Sequence, residues 1–224
     1  MKSVTIYSCS YGAFPPPPEP LQPDPDCKYV YFTDRGSCMK KGSVWTPKYF
    51  PIYGTSIRRA SRYAKILPDN FFSTDWTIYV DSGLVLKESP ATLIDEVDTC
   101  DLGVHVHSRR KFIHQEGERI GEVFPNLKDR AIHHVKEMGP YPRVRLAECG
   151  LLVRRNTMRM LAMNHIWWGL FCLGPERDQL SFPVAAAMSK VNIKWFDGEI
   201  SHSRRTCVRK DEAFTAMKEL QKKG

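Results

Sequence analysis

Short runs of β-forming apolar residues alternate along this chain with stretches in which apolar positions recur at helical spacing. Val4 to Tyr7 is the first run, and it ends in the small-residue loop Ser8-Cys9-Ser10-Tyr11-Gly12. Tyr29 to Thr33 is the second, with Asp34 at its edge. Trp76 to Val80 is closed by Asp81-Ser82-Gly83 and followed at once by Leu84 to Leu86. Leu102 to Val106 reads as a further strand that puts His105 and His107 on one face by the period of two, and Gly150 to Val153 as a small buried one. Between Thr55 and Leu67, the positions Ile57, Ala60, Ala64 and Leu67 follow the helical period, with Arg58, Arg62 and Lys65 along the adjoining face. Pro90 opens a helix through about Val97, the polar region 113–140 is helical in pieces, and Asn156 to about Asn164 is another helix. Asp178 is well placed as the N-cap of a helix reaching Lys190. Pro15 to Pro25 holds seven prolines in eleven residues, which excludes helix and central strand and leaves an extended loop.

This alternation predicts the α/β class: one domain over residues 1–210, with a mostly parallel central sheet flanked by helices. Residues 211–224 are expected to form a C-terminal helix, amphipathic through Phe214, Met217 and Leu220, that packs on the domain or leads into a further one. At 224 residues, 42% hydrophobic and 26% charged, the composition is globular and excludes coiled coil, collagen and disorder. The longest apolar stretch, Ile166 to Leu173, is far shorter than the roughly 20 residues a membrane-spanning helix needs. With no secretory h-region near the start, a cytoplasmic location is expected. Seven cysteines without a C-x-x-C pair read as free thiols in a reducing compartment and argue against zinc ribbons and disulfide scaffolds. A formal charge of +8 favours anionic partners without choosing among them.

Ligands of open α/β sheets bind at the carboxyl ends of the strands. Here those ends carry Ser8 to Gly12, Asp34, Asp81 to Gly83 and His107 to Arg109. Small residues, a carboxylate and cations together suit a nucleotide diphosphate held by a divalent metal. Asp81 has a plainer account as a turn residue capping its own backbone, and Arg58, Arg62 and Lys65 one as a solvated basic face. Trp167-Trp168 could form a platform for a sugar ring, with Asp178 and Gln179 on its hydroxyls, or be core with Asp178 only a cap. The histidines fall in no known zinc-ligand spacing, and no G-x-S-x-G, Walker or G-x-G-x-x-G motif occurs.

From Val4 to about Arg205 the chain resembles the nucleotide-sugar glycosyltransferases of the GT-A fold, and within them the small domains of chlorella viruses that glycosylate the capsid protein. The residues that carry the resemblance are Tyr7 to Gly12, Arg58, Arg62 and Lys65, Tyr79 to Gly83, His105 to Arg109, Gly150 to Arg155 and Arg177 to Phe182. It implies a UDP-sugar donor, of rhamnose or glucose type, and a glycan or glycoprotein acceptor. Tyr7, Ser8, Ser10, Tyr11, Gly12 and Asp34 would hold the uridine, and Arg58, Arg62 and Lys65 would lie near the diphosphate, with Ser82 and Gly83 also on the nucleotide. Asp81 matches the first acid of the manganese-binding D-x-D motif, while Gly83 stands where its last acid usually does. His202 matches the late histidine that many such enzymes use, so Asp81 and His202 are the expected ligands of Mn2+ or Mg2+. Asp178 and Gln179 would be catalytic, in the pattern of retaining members, with His107, Arg109, Glu148, Gly150 and Trp168 on the sugar or acceptor.

Two other readings stay open. The positive charge and the arginine-rich helix suit a nucleic-acid-binding module, although the basic residues are scattered among acids and no reader motif appears, so no nucleic-acid partner is expected. The glycine at position 83 suits a catalytically silent domain that binds UDP or glycan.

Overall fold

The computed structural model describes residues 2–35, 41–51, 54–139 and 145–208. The expected C-terminal helix over 211–224 lies outside them.

Among the described residues nine strands form: β1 (Val4–Cys9), β2 (Lys28–Thr33), β3 (Thr46–Tyr49), β4 (Trp76–Val80), β5 (Leu84–Leu86), β6 (Leu102–Val106), β7 (Ala147–Arg155), β8 (Ile193–Phe196) and β9 (Thr206–Val208). Seven of them make one sheet in the order β3-β2-β1-β4-β7-β6-β8, and β5 pairs with β9 in a separate antiparallel ribbon. Within the large sheet only β7 is reversed, pairing antiparallel with β4 on one side and β6 on the other. All six residues of β1 and all five of β4 are buried, because helices cover both faces of the sheet.

The period of two sorts those strand residues onto two cores. Tyr7, Phe32, Tyr79, Val104 and Leu152 face α1 (Ile57–Ile66), α5 (Met158–Leu173) and α6 (Asp178–Ser189) through Ala64, Trp167 and Phe182. Ile6, Ile78, Val80, Leu151 and Val153 face α2 (Pro90–Val97) through Leu93, Ile94 and Val97. A smaller cluster joins α3 (Ile113–Val123) and α4 (Lys128–Glu137) to α6 through Ile120, Ala131, Leu180 and Val184.

Several elements differ from the sequence expectation. β7 is nine residues long rather than Gly150 to Val153, and α5 runs on to Leu173 because the apolar stretch from Ile166 continues it. The N-cap of α6 is Arg177, and Asp178 is the first helical residue, its carboxylate committed to α1. On α1, Ile57 is 48% exposed, whereas Lys65 is 2% exposed, so the basic face is not simply solvated. A register shift between Val104 and His105 breaks the period there.

Gly103 of β6 permits close packing: a Cβ there would lie 2.4 Å from Cζ of Phe196 and 2.5 Å from Cγ2 of Val97. Gly103→Ala is expected to cost about 1–3 kcal/mol, read by urea unfolding. His134 of α4 is buried against Gly174, where a Cβ would lie 2.6 Å from its Nε2. Burial, with Arg130 and His133 nearby, pulls its pKa down to about 4. The folded chain therefore resists a proton that the unfolded chain takes up near the ordinary value of about 6.5. Its contribution is complete above about pH 6.5 and is lost as pH falls towards about 4. A Tm series over that window should decline in the wild type and flatten in His134→Gln.

Candidate functional site

The carboxyl ends of β1 and β4, the amino end of β7, and the facing turns of α1 and α6 enclose a cleft of about 490 Å³. Its centre is an ion pair. The Lys65 ammonium of α1 lies 2.6 Å from Oδ2 of Asp178, 3.8 Å from Oδ1 of Asp81 and 4.9 Å above the Tyr79 ring. Arg62, one turn earlier, places Nε 3.2 Å from the same Asp178 oxygen. Burial alone would raise the Asp178 pKa, but Arg62 and Lys65 hold it well below the usual carboxylate range. Burial likewise works against the Arg62 charge, and Asp178 more than offsets it, so both groups stay ionised.

A second layer fixes the backbone on either side of that pair. The Tyr7 hydroxyl donates to the Lys65 carbonyl at 2.8 Å, and Nη1 of Arg154 donates to the same carbonyl at 2.9 Å. Arg154 also lies over the Trp167 ring, whose Nε1 donates to the Asp178 carbonyl at 2.9 Å. Glu176 is held at φ 55°, where its carboxylate accepts from Ser56 at 2.8 Å and pairs with Arg59, tying the start of α1 to the turn before α6. Left-handed backbone at a non-glycine residue is a cost that tends to occur at functional sites.

Asp81 accepts from the Tyr79 hydroxyl at 2.5 Å, and the backbone turn Asp81 to Leu84 leads into β5. Gly150 makes room for it, since a Cβ there would lie 3.1 Å from the Asp81 carboxylate. Ser82, Gly83, Glu148 and Gln179 also line the cleft. Glu148 accepts from Ser108 Oγ at 2.7 Å and from the Ile200 amide at 3.3 Å. Gln179 donates Nε2 to the Ala147 carbonyl at 3.1 Å, and its side-chain carbonyl forms no hydrogen bond among the described residues. Cys9 and Cys149 line the wall too, but burial pushes both thiols up, Cys9 to about 12, so they are neutral. Fully buried Arg205 pairs with Glu96 and Asp197 and secures the turn that brings Ile200 and Ser201 to the cleft.

Of the first loop, Tyr11 lines the cleft, with a buried hydroxyl that has no partner among the described residues. Ser10 turns its hydroxyl onto the carbonyls of Phe14 and Pro15, and Asp34 accepts the Gly12 amide at 2.9 Å, so these residues shape the loop. Tyr7 is core, its hydroxyl committed to Lys65 and Arg154, and Ser8 is fully buried behind the loop. Arg58 is exposed on the first turn of α1. His107 accepts from the Arg109 and Arg110 amides and meets the Arg110 guanidinium, which pairs with Glu116, while Arg109 is exposed; neither lines the cleft. Trp168 packs on Tyr63 and Phe171 beside a separate apolar recess, on the side of α1 away from Arg62 and Lys65. Arg177, Tyr79, Cys9 and Ser201 line the cleft without an expected role, and for Arg177 its place beside Asp178 is the signal in the sequence.

The expected metal ligands do not assemble. His202 is exposed in the turn before β9 and does not line the cleft, and Gly83 brings no carboxylate. Among the described residues, no group of three or more His, Cys, Asp or Glu side chains is gathered where an ion could sit. Asp81 is also in reach of the Lys65 ammonium, which disfavours a second cation beside it. This donor set does not fit a divalent cation held by Asp81 and His202.

No protein-family model matches the chain, and no curated protein matches it in sequence. The fold does have solved counterparts. The bifunctional glycosyltransferase WbbM superimposes with a TM-score of 0.52 at 13% identity, over 87% of this chain and 39% of WbbM. The galactosyltransferase LgtC, solved in complex with donor and acceptor sugar analogues, gives 0.50 at 10% identity, over 94% of this chain and 81% of LgtC. Mouse xyloside xylosyltransferase 1, in its apo form, gives 0.50 at 9% identity, over 87% and 85%. The expected architecture is thereby met: a central sheet flanked by helices, in the GT-A arrangement. None of the helices is long and apolar enough to cross a membrane, among the described residues.

Removing one partner of a buried ion pair leaves the other uncompensated. Asp178→Asn is expected to cost about 3 kcal/mol in urea unfolding, and the double variant Lys65→Met/Asp178→Leu to recover much of that loss.

Proposed function

We propose that the chain is a glycosyltransferase that moves a hexose, of rhamnose or glucose type, from a UDP-sugar to a glycan acceptor. The observation that carries this is the Asp178–Gln179 pair at the amino end of α6, facing a cleft with Arg62, Lys65 and Arg177 on its wall, within a GT-A fold. A UDP-sugar joins a diphosphate, which needs cations, to a hydroxyl-rich ring, which needs neutral and anionic acceptors. The cleft offers both kinds of group.

In this reading the bond from the anomeric carbon to the diphosphate oxygen breaks, and its electrons leave on the phosphate. Arg62 and Arg177 stabilise that developing charge from fixed positions. The acceptor oxygen forms the new bond, and its proton passes to the departing phosphate. Asp178 is held ionised, far below the pH range in which a general base works well, and its carboxylate is tied to two cations. That supports retention, with Asp178 orienting the sugar and the free Gln179 carbonyl turned to the anomeric carbon, over an inverting role for Asp178 as base. An acceptor glycan on a viral capsid glycoprotein is the class suggested by the enzymes that the sequence resembles.

Release of UDP from a panel of UDP-sugars tests the proposal, with NMR of the product to read its anomeric configuration. One donor should turn over with retention, and Gln179→Ala should lower kcat by about 10²-fold with little change in Tm. No release from any donor, with UDP failing to raise the Tm, would sink it. UDP binding without release would leave a silent binding domain.

A further inference from the structure

The cations of the cleft wall are unevenly partnered: Lys65 and Arg62 meet Asp178, whereas the Arg177 guanidinium rests 4.6 Å from the centre of the Phe124 ring. Arg177 lines the cleft, and among the described residues no carboxylate lies within ion-pair distance of its guanidinium. Its Nε is buried and has no hydrogen-bond partner among the described residues. Burial, with Arg58 next, draws Arg177 down from its ordinary value, and the nearby Glu116 and Asp178 carboxylates offset only part of that. Arg62 is only half committed: its Nε lies at ion-pair distance from Asp178, but the N–H is not aligned for a hydrogen bond.

The acids of the same cleft show the opposite. Oδ1 of Asp81 receives the Tyr79 hydroxyl and sits near Lys65, Oδ2 of Asp178 receives Lys65, and both oxygens of Glu148 are taken by Ser108 and Ile200. Each acid of the cleft thus has a partner inside the protein, although Oδ2 of Asp81 accepts no hydrogen bond among the described residues, whereas Arg177 has no carboxylate partner there.

Resting on the transferase reading, we infer that Arg177 and Arg62, supported by Lys65, hold the donor diphosphate directly, in place of a divalent cation, so that donor binding and transfer need no added metal. Arginine suits this task because its planar fork offers several donors to phosphate oxygens and keeps its charge at any working pH. Gly83 then follows from the same arrangement: a second acid beside Asp81 would compete with the phosphates for these cations.

Calorimetric titration of UDP into the metal-stripped protein tests this, once with excess EDTA and once with Mn2+, with sugar release measured in parallel. The two affinities are expected to agree within about threefold, and EDTA to leave turnover in place. Arg177→Met should weaken UDP about tenfold in both conditions while the nucleotide-free Tm stays within about 2 °C of wild type. Gly83→Asp should make binding respond to Mn2+. UDP binding that appears only with Mn2+ would overturn the inference and leave the transferase reading standing. Binding in neither condition would overturn the nucleotide reading, and this inference with it.

Discussion

A lysine ammonium buried between two carboxylates is the constraint around which the rest of the cleft is arranged. Lys65 belongs to α1, Asp178 to α6 and Asp81 to the end of β4, so one charge draws three distant chain segments together. A buried pair of this kind gains little over a well-packed apolar contact, because desolvation offsets the attraction. Its effect is positional: neither helix can shift without stranding a charge. Arg154, Tyr7 and Trp167 act on the same pair from behind by gripping the backbone carbonyls of its two members.

Much of the sheet was legible in the sequence because burial on both faces leaves continuous β-forming runs. β4 and β6 match their apolar runs, as does α2 with its opening proline. β3 was not legible: all four of its residues are exposed, and Pro47 lies in the middle, so nothing in the pattern marks an edge strand. β8 alternates only weakly, and β9 is too short to leave a period. The full length of α5 was hidden because its apolar residues run nearly all around the helix, while periodicity detects a stripe.

The site was legible at its strand and helix ends and less so in its electrostatics. Asp81, Asp178, Gln179, Arg62 and Lys65 do converge on one cleft. Helical spacing places Lys65 on a face but does not reveal that the face meets Asp178 rather than water, which depends on a contact between residues far apart in sequence. His202 and Trp168 follow the same logic in reverse. Each looks chemically apt in the sequence, and the folded backbone turns each away from the cleft. Arg177 carries no mark in the sequence beyond its place beside Asp178, because its entry into the cleft depends on how the turn before α6 folds.

The reversed strand β7 has a consequence for how the molecule is made. It fills the middle of the sheet, yet Trp76 of β4 pairs with Arg155 and Leu102 of β6 with Arg154, so neither neighbour meets its partner until the chain has lengthened well past both. On a ribosome, β1, β2 and β4 can assemble early through parallel pairing, with the exposed edge of β4 waiting for a strand that arrives late. Non-local closure of this kind slows folding. It also means that the cleft, whose floor includes the amino end of β7, is among the last parts of the protein to exist.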